Sequence, residues 1–282
     1  MRRLVVLLLL ATALTSCGGD DTVDVPKGVT VRLEQVRQDL QNRKFSVQVV
    51  NHGTTSITVE KARLESGRLP KAAVYTGPAV IEPGTEVNLT TEMPPARCGR
   101  GLDATVRLTY SVDDGKTVES TVKPTDHFGS VGRFMKRDCA ARTLGKLVID
   151  DRLTVRGKGK NATISVGFTV TPPAKGDPVH LVRVDGSTLL APESDAATTI
   201  DRTTEPGGEP LHAEVTFIPN RCDVHVVAED RTGGIVPLRL ESKAFGSSPI
   251  YLRFKEPQKA QIFDYLAERC GFGKVQDPLN AP

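Results

Sequence analysis

The chain has no tryptophan and only four tyrosines, and aromatic residues make up 5% of its 282 positions. Carbohydrate platforms stack sugar rings on Trp and Tyr faces, so that class lacks its usual equipment here. Basic and acidic residues nearly balance, 37 against 34, which leaves no footprint for nucleic acid. Beyond the first residues, no apolar run is long enough to cross a bilayer as a helix. The five histidines, His52, His127, His180, His212 and His225, are scattered, and no C-x-x-C accompanies them, so no metal-ligand set is spelled out. G-x-S-x-G, H-E-x-x-H, a glycine-rich phosphate loop and a calcium loop are also missing. No catalytic residue, metal or cofactor is therefore assigned, and the expected protein is not an enzyme.

What is present begins with MRRLVVLLLLATALTSC. Arg2 and Arg3 form a charged head, and the apolar run Leu4 to Leu10 is too short for a mature spanning helix. The run closes on Leu14, Thr15, Ser16 and Cys17, with glycines following. This combination resembles the bacterial lipoprotein lipobox. The resemblance implies a signal peptide over 1–16 and a diacylglyceryl group on Cys17, which becomes the mature N-terminus with its acyl (palmitate-type) chains. Two chains make a stable anchor at about 0.8 kcal/mol per buried CH₂, whereas one is marginal. The expected location is the extracytoplasmic face of the cell membrane, with the bilayer as first partner. Loss of Arg2 and Arg3 lowers the formal charge from +3 to about +1. Residues 17–28, small and acidic with Pro26, read as a flexible spacer.

The body is rich in turn formers, with 25 glycines and 19 prolines between short Val/Ile/Thr runs, which is an all-β pattern. Two halves of it match. EPGTEVNLTTEMPPARC ends at Cys98, and EPGGEPLHAEVTFIPNRC ends at Cys222. The offset is 123 residues at the EPG and 124 at the cysteine, while FMKRDC (Cys139) and YLAERC (Cys270) lie 131 apart. Phe45 to Leu64 matches Ile164 to Val184 as strand, turn, strand. The order of these matches predicts a tandem duplication. One repeat is placed over 29–143, a boundary near Leu144 to Lys146, the other over 145–272, and a tail over 273–282. About seven short strands per repeat resemble an immunoglobulin-like β-sandwich, in architecture only, because the core Trp and the antibody cysteine spacing are absent.

Four cysteines beyond Cys17 allow three pairings. A duplicated domain favours Cys98 with Cys139 and Cys222 with Cys270, in keeping with an oxidising compartment. A short helix is expected at each closing cysteine, better formed in EPQKAQIFDYLAERC, where Pro257 starts it and Ile262, Leu266 and Cys270 share a face.

RCDVHVVAED (Arg221 to Asp230) concentrates a cysteine, a histidine and three carboxylates. Read as a strand, it turns Cys222, Val224, Val226 and Ala228 inward and sets Asp223 beside His225 on the outer face, with Glu229 and Asp230 in an EDRTGG hairpin turn. Such an exposed pair is a solvated strand face rather than a site. Pro237 in the returning IVPLRL points to an edge strand or a bulge. Asp150 and Asp151 read as ordinary loop carboxylates. The basic tip of Arg156, Lys158 and Lys160 and the cluster of Arg133, Lys136, Arg137 and Arg142 read as solvated charge.

PNRCDVHVVAED and the closing cysteine also resemble a group of actinobacterial cell-envelope lipoproteins, loosely over both repeats. That resemblance implies an envelope location and transfers no catalytic residue. The expected function is a non-enzymatic binding or interaction module for an envelope protein or polymer, with a sugar- or cation-binding lipoprotein as the alternative.

Overall fold

A computed structural model describes residues 24–40, 42–99, 103–230 and 234–272. The lipobox cysteine Cys17, the signal segment, Arg231 to Gly233 of the expected EDRTGG turn and the tail from 273 lie outside them. The first half runs β1 (Val29–Glu34), β2 (Lys44–Asn51), β3 (Ile57–Glu65), β4 (Ala73–Ile81), β5 (Glu86–Glu92), β6 (Thr105–Val112), β7 (Val118–Val122) and α1 (Ser130–Leu144). The second runs β8 (Lys146–Ile149), β9 (Thr154–Arg156), β10 (Thr163–Thr171), β11 (Val179–Asp185), β12 (Leu190–Pro192) and β13 (Ala197–Thr204). It continues through β14 (Leu211–Pro219), α2 (Val224–Glu229), β15 (Val236–Ser242), β16 (Gly246–Leu252) and α3 (Glu256–Cys270).

Each half is a two-sheet antiparallel sandwich of immunoglobulin-like type. The first pairs β1-β2-β5 against β4-β3-β6-β7, and the second pairs β8-β10-β14 against β13-β11-β15-β16. β9 and β12 are additions to the second. The likeness reaches individual residues. Both β3 and β11 carry a register break, at Val59/Lys61 and at Leu181/Arg183. The hydroxyls of Ser46 and Thr90 pair across β2 and β5 at 3.2 Å, and those of Ser165 and Thr216 pair across β10 and β14 at 2.9 Å.

Alternation explains the cores. Phe45, Val47 and Val49 of β2 are buried, as are Ile164, Val166, Phe168 and Val170 of β10. Each strand turns one face inward with period two, and its polar face is tied by cross-strand hydroxyls. The β6–β7 hairpin closes through Asp113 and Asp114, both left-handed at φ 43° and 57°, a conformation the two-residue hairpin turn demands and Asp tolerates. Asp24 and Val25, at the end of the expected spacer, already dock on the first sandwich. Val25 packs on its core, and the Tyr110 hydroxyl donates to the Asp24 carbonyl at 3.4 Å.

Both disulfides are formed within their own half, Cys98–Cys139 and Cys222–Cys270. The two closing helices are equally long at 15 residues, and the second has in addition Pro257 in its first turn and a Gln258 side chain that accepts from the Lys255 amide at 2.7 Å. The start of the first is secured by Asp126, whose carboxylate accepts from the Ser130 and Val131 amides at 2.6 and 3.0 Å. Such a cap satisfies donors that the first turn leaves orphaned.

One strand expectation fails, and that for Pro237 holds only in its second alternative, since the β11–β15 ladder carries a bulge at Leu181/Arg183. β15 is an interior strand, between β11 and β16. Pro237 is tolerated there because its β11 neighbours begin only at Leu238, so no bond of that ladder is lost. The RCDVHVVAED segment is the helix α2, considered below.

α1 belongs to both cores. Val131, Phe134 and Met135 pack in the first, while Cys139, Ala140 and Leu144 pack in the second. The chain then turns at Gly145 with φ 92°, where a side chain would press into the Thr171 carbonyl. Only glycine fits that junction.

In the second core the Tyr265 hydroxyl donates to the Ala162 and Phe217 carbonyls at 3.1 and 3.3 Å. Burial pushes its phenol up to about 12, with Arg269 opposing and Glu193 adding. A raised folded pKa makes this contribution complete below pH 10 and lost as pH rises through 12. Stability should fall by roughly 2–3 kcal/mol across that window through this group alone. Denaturant titrations of wild type and Tyr265→Phe at pH 8 and pH 12 should show the steeper loss in wild type. Equal losses would remove Tyr265 from the alkaline response.

Candidate functional site

Because α1 passes from one core to the other, the sandwiches meet along its side and leave a cavity of about 640 Å³ between them. Small-molecule sites occupy about 300–1,000 Å³ and favour domain interfaces. The walls come from five separate segments. Phe134 and Leu144 of α1, Leu147 and Val148 of β8, and Ile250 and Tyr251 of β16 form its apolar part. Val148 is 41% exposed although it lines this wall, so the cavity offers apolar surface to an entering molecule.

The charged lining is mostly cationic, with Asn42 and Gln258 as neutral polar groups beside it. Arg43 comes from the β1–β2 connection, Arg137 from α1, Lys146 from β8, Arg253 from just past β16 and Lys255 from the start of α3. Asp138 is the one carboxylate among the lining residues, and it is already engaged. Its Oδ1 accepts from Arg43 Nη1, and its Oδ2 accepts from the Ala96 amide at 2.7 Å.

Arg43 is held rigidly. Its Nε donates to the Met93 carbonyl at 2.8 Å, and its guanidinium lies 5.2 Å from the centre of the Phe134 ring. Nη2 of the same group is shut off from solvent without a hydrogen-bond partner. Arg137 donates to the Gln35 side-chain carbonyl and lies 5.6 Å from the centre of the Tyr251 ring. Both ring distances are within cation–π range. The side chains of Arg253 and Lys146 have no hydrogen-bond or ion-pair partner among the described residues. Lys255 reaches Asp151 at 3.1 Å.

The crowding of like charge is felt. Burial pulls the Arg253 guanidinium below its ordinary pKa, and the Arg43 charge adds to this. Burial lowers Arg137 as well, with Tyr251 opposing and the Arg133 charge adding. Guanidinium nonetheless stays protonated in proteins, so the cavity keeps its positive field.

The residues singled out in the sequence lie elsewhere. Asp223 and His225 are not paired on a strand face. Asp223 caps α2, its carboxylate accepting from the His225 backbone amide at 3.0 Å, and both residues are exposed. Cys222 and Val224 are exposed rather than turned inward, and the buried residues are Val227 and Asp230. Asp230 is no turn residue. It accepts from Arg37 of the first sandwich at 3.1 Å, so the segment clasps the two halves together. The signal for this was in the spacing. The offset between repeats jumps from 124 at Cys222 to 131 at Cys270, and α2 occupies the inserted length.

The basic cluster on α1 is not uniformly solvated either. Arg137 enters the cavity, and Arg142 donates to the Ala96 carbonyl. At the tip of β9, Arg156 approaches Glu214 at 3.9 Å. Among the described residues there is no group of three or more His, Cys, Asp or Glu side chains placed to hold a metal ion.

No protein-family profile matches the chain. No curated protein matches it. Solved structures resemble it only in fold. A red sea bream transglutaminase has 13% identity, with 82% of this chain and 32% of that one covered, at a TM-score of 0.24. The calcium-binding domain CBD12 of CALX1.1 has 12% identity, with 70% and 73% covered, at 0.22. The YadV chaperone has 13% identity, with 80% and 100% covered, at 0.20. The chain thus spans only 32% of the transglutaminase.

Proposed function

We propose that the protein is a non-enzymatic binding module of the cell envelope, lipid-anchored at Cys17 on the extracytoplasmic face, with its ligand site in the cavity between the two sandwiches. The observation that supports binding is the cavity itself, apolar on one side and lined on the other by five cations, of which Arg253 and Lys146 have no side-chain partner among the described residues. The anchor rests on LTSC and the charged, apolar leader before it. The non-enzymatic reading is supported by the lining, in which the described residues pair no nucleophile with a base. A cation ligand is disfavoured by the field of the lining residues.

Two measurements test this reading. Cys17→Ser should release the protein from the membrane fraction or leave its leader uncleaved, and a processed, membrane-bound Ser variant would disprove the anchor. Native mass spectrometry of the protein gently extracted from its envelope should show a co-purifying small molecule. Ala141→Trp, which fills the cavity from α1, should lose it. An identical spectrum for the two would reject the cavity as the binding site.

A further inference from the structure

Resting on the reading that the interdomain cavity binds a ligand, we infer that this ligand is a phosphate-headed amphiphile, its head among Arg43, Arg253 and Lys146 and its apolar body against Phe134, Leu147 and Ile250. The charge balance is the first argument. Five cationic side chains line the cavity; Arg43 is paired with Asp138 and Lys255 with Asp151, which leaves Arg137, Arg253 and Lys146 without a carboxylate partner among the described residues. A monoanion would leave most of the field uncompensated, whereas a phosphate supplies up to two charges and three acceptor oxygens.

The second argument is the orphaned donors. Two of the lining cations are free to meet an entering anion. Arg253 and Lys146 have no side-chain partner among the described residues. Arg43 is held in place by Met93, Asp138 and Phe134, so its charge is fixed beside them. The planar guanidinium of Arg253 suits phosphate oxygens. The cations come from separate elements of both sandwiches, so the charge converges only where the halves meet.

The third argument is the wall opposite. Inorganic phosphate alone needs no apolar surface, yet half of this lining is aliphatic or aromatic, and Val148 remains exposed within it. The proposed tether adds proximity. The stretch from Cys17 to Val29 spans at most about 40 Å fully extended, so the first sandwich stays close to a source of such molecules.

Titration calorimetry on the purified body, residues 18–282, decides the matter with octyl phosphate, octanol, octanoate and inorganic phosphate. Octyl phosphate should bind at least tenfold more tightly than each of the other three. Arg253→Gln should weaken it about tenfold without shifting the melting temperature, since that side chain has no partner to lose. If octanol binds equally and Arg253→Gln has no effect, the charged-head inference is wrong while the cavity still binds. If inorganic phosphate or octanoate matches octyl phosphate, the amphiphile or the phosphate preference falls, respectively. If no probe binds, and Ala141→Trp and wild type also co-purify with nothing, the binding reading fails together with this one.

Discussion

Replacing Cys98 and Cys139 together by alanine should destabilise both sandwiches, whereas replacing Cys222 and Cys270 should destabilise only the second. The bridges close loops of 41 and 48 residues, for which the chain-entropy model credits each with about 4 kcal/mol and measured losses run about 2–5 kcal/mol. The asymmetry comes from α1. Cys139 is fastened to Cys98 on the first sandwich, yet it packs with Ala140 and Leu144 in the second core. Its Sγ lies 3.8 Å from the Ala244 carbonyl at the β15–β16 turn. Loosening α1 therefore withdraws a wall from both cores. α3, by contrast, packs only in the second. Differential scanning calorimetry, with hydrogen exchange of β2 and β10 amides to assign the transitions, separates the cases. Equal effects of the two double variants on β2 would refute the shared-helix account.

Asp138→Ala is expected to cost about 3 kcal/mol, as removal of one partner from a buried ion pair does. Asp138 is 8% exposed at its side chain and accepts from Arg43 and from the Ala96 amide. Without it, a guanidinium stays half-buried against Phe134, and the Ala96 amide loses its acceptor. A double variant, Arg43→Leu with Asp138→Leu, should recover part of the loss because neither charge is then stranded. Urea denaturation measures both. A cost below about 1 kcal/mol for Asp138→Ala would show the pair to be as weak as an ordinary surface salt bridge.

Several features were legible in local sequence. The strand, turn, strand of Phe45 to Leu64 and of Ile164 to Val184 and the Pro257 helix start are each decided by neighbours in the chain. The disulfide pairing was legible because duplication reduced three connectivities to one economical choice. RCDVHVVAED misled because Val224, Val226 and Ala228 alternate as a strand would, while Asp223 equally supplies a helix cap. A six-residue segment carries too little periodicity to separate the two. The change of offset between the cysteines held the deciding information, since it marked added length before β15 where no added strand was needed.

The cavity was not legible. Arg43, Arg137, Lys146 and Arg253 are spread over more than two hundred positions, and each alone reads as a solvated charge. By itself the sequence determined the two sandwiches, their bridges and the closing helices, because strand alternation, turn chemistry and duplicated spacing act over short distances or repeat. Only the tertiary structure decided that α1 serves two cores, that Asp230 reaches Arg37 and that five cations line one cavity beside an apolar wall. Those depend on how two completed sandwiches meet, and that is set by side-chain packing between segments distant in the chain, where no local period leaves a trace.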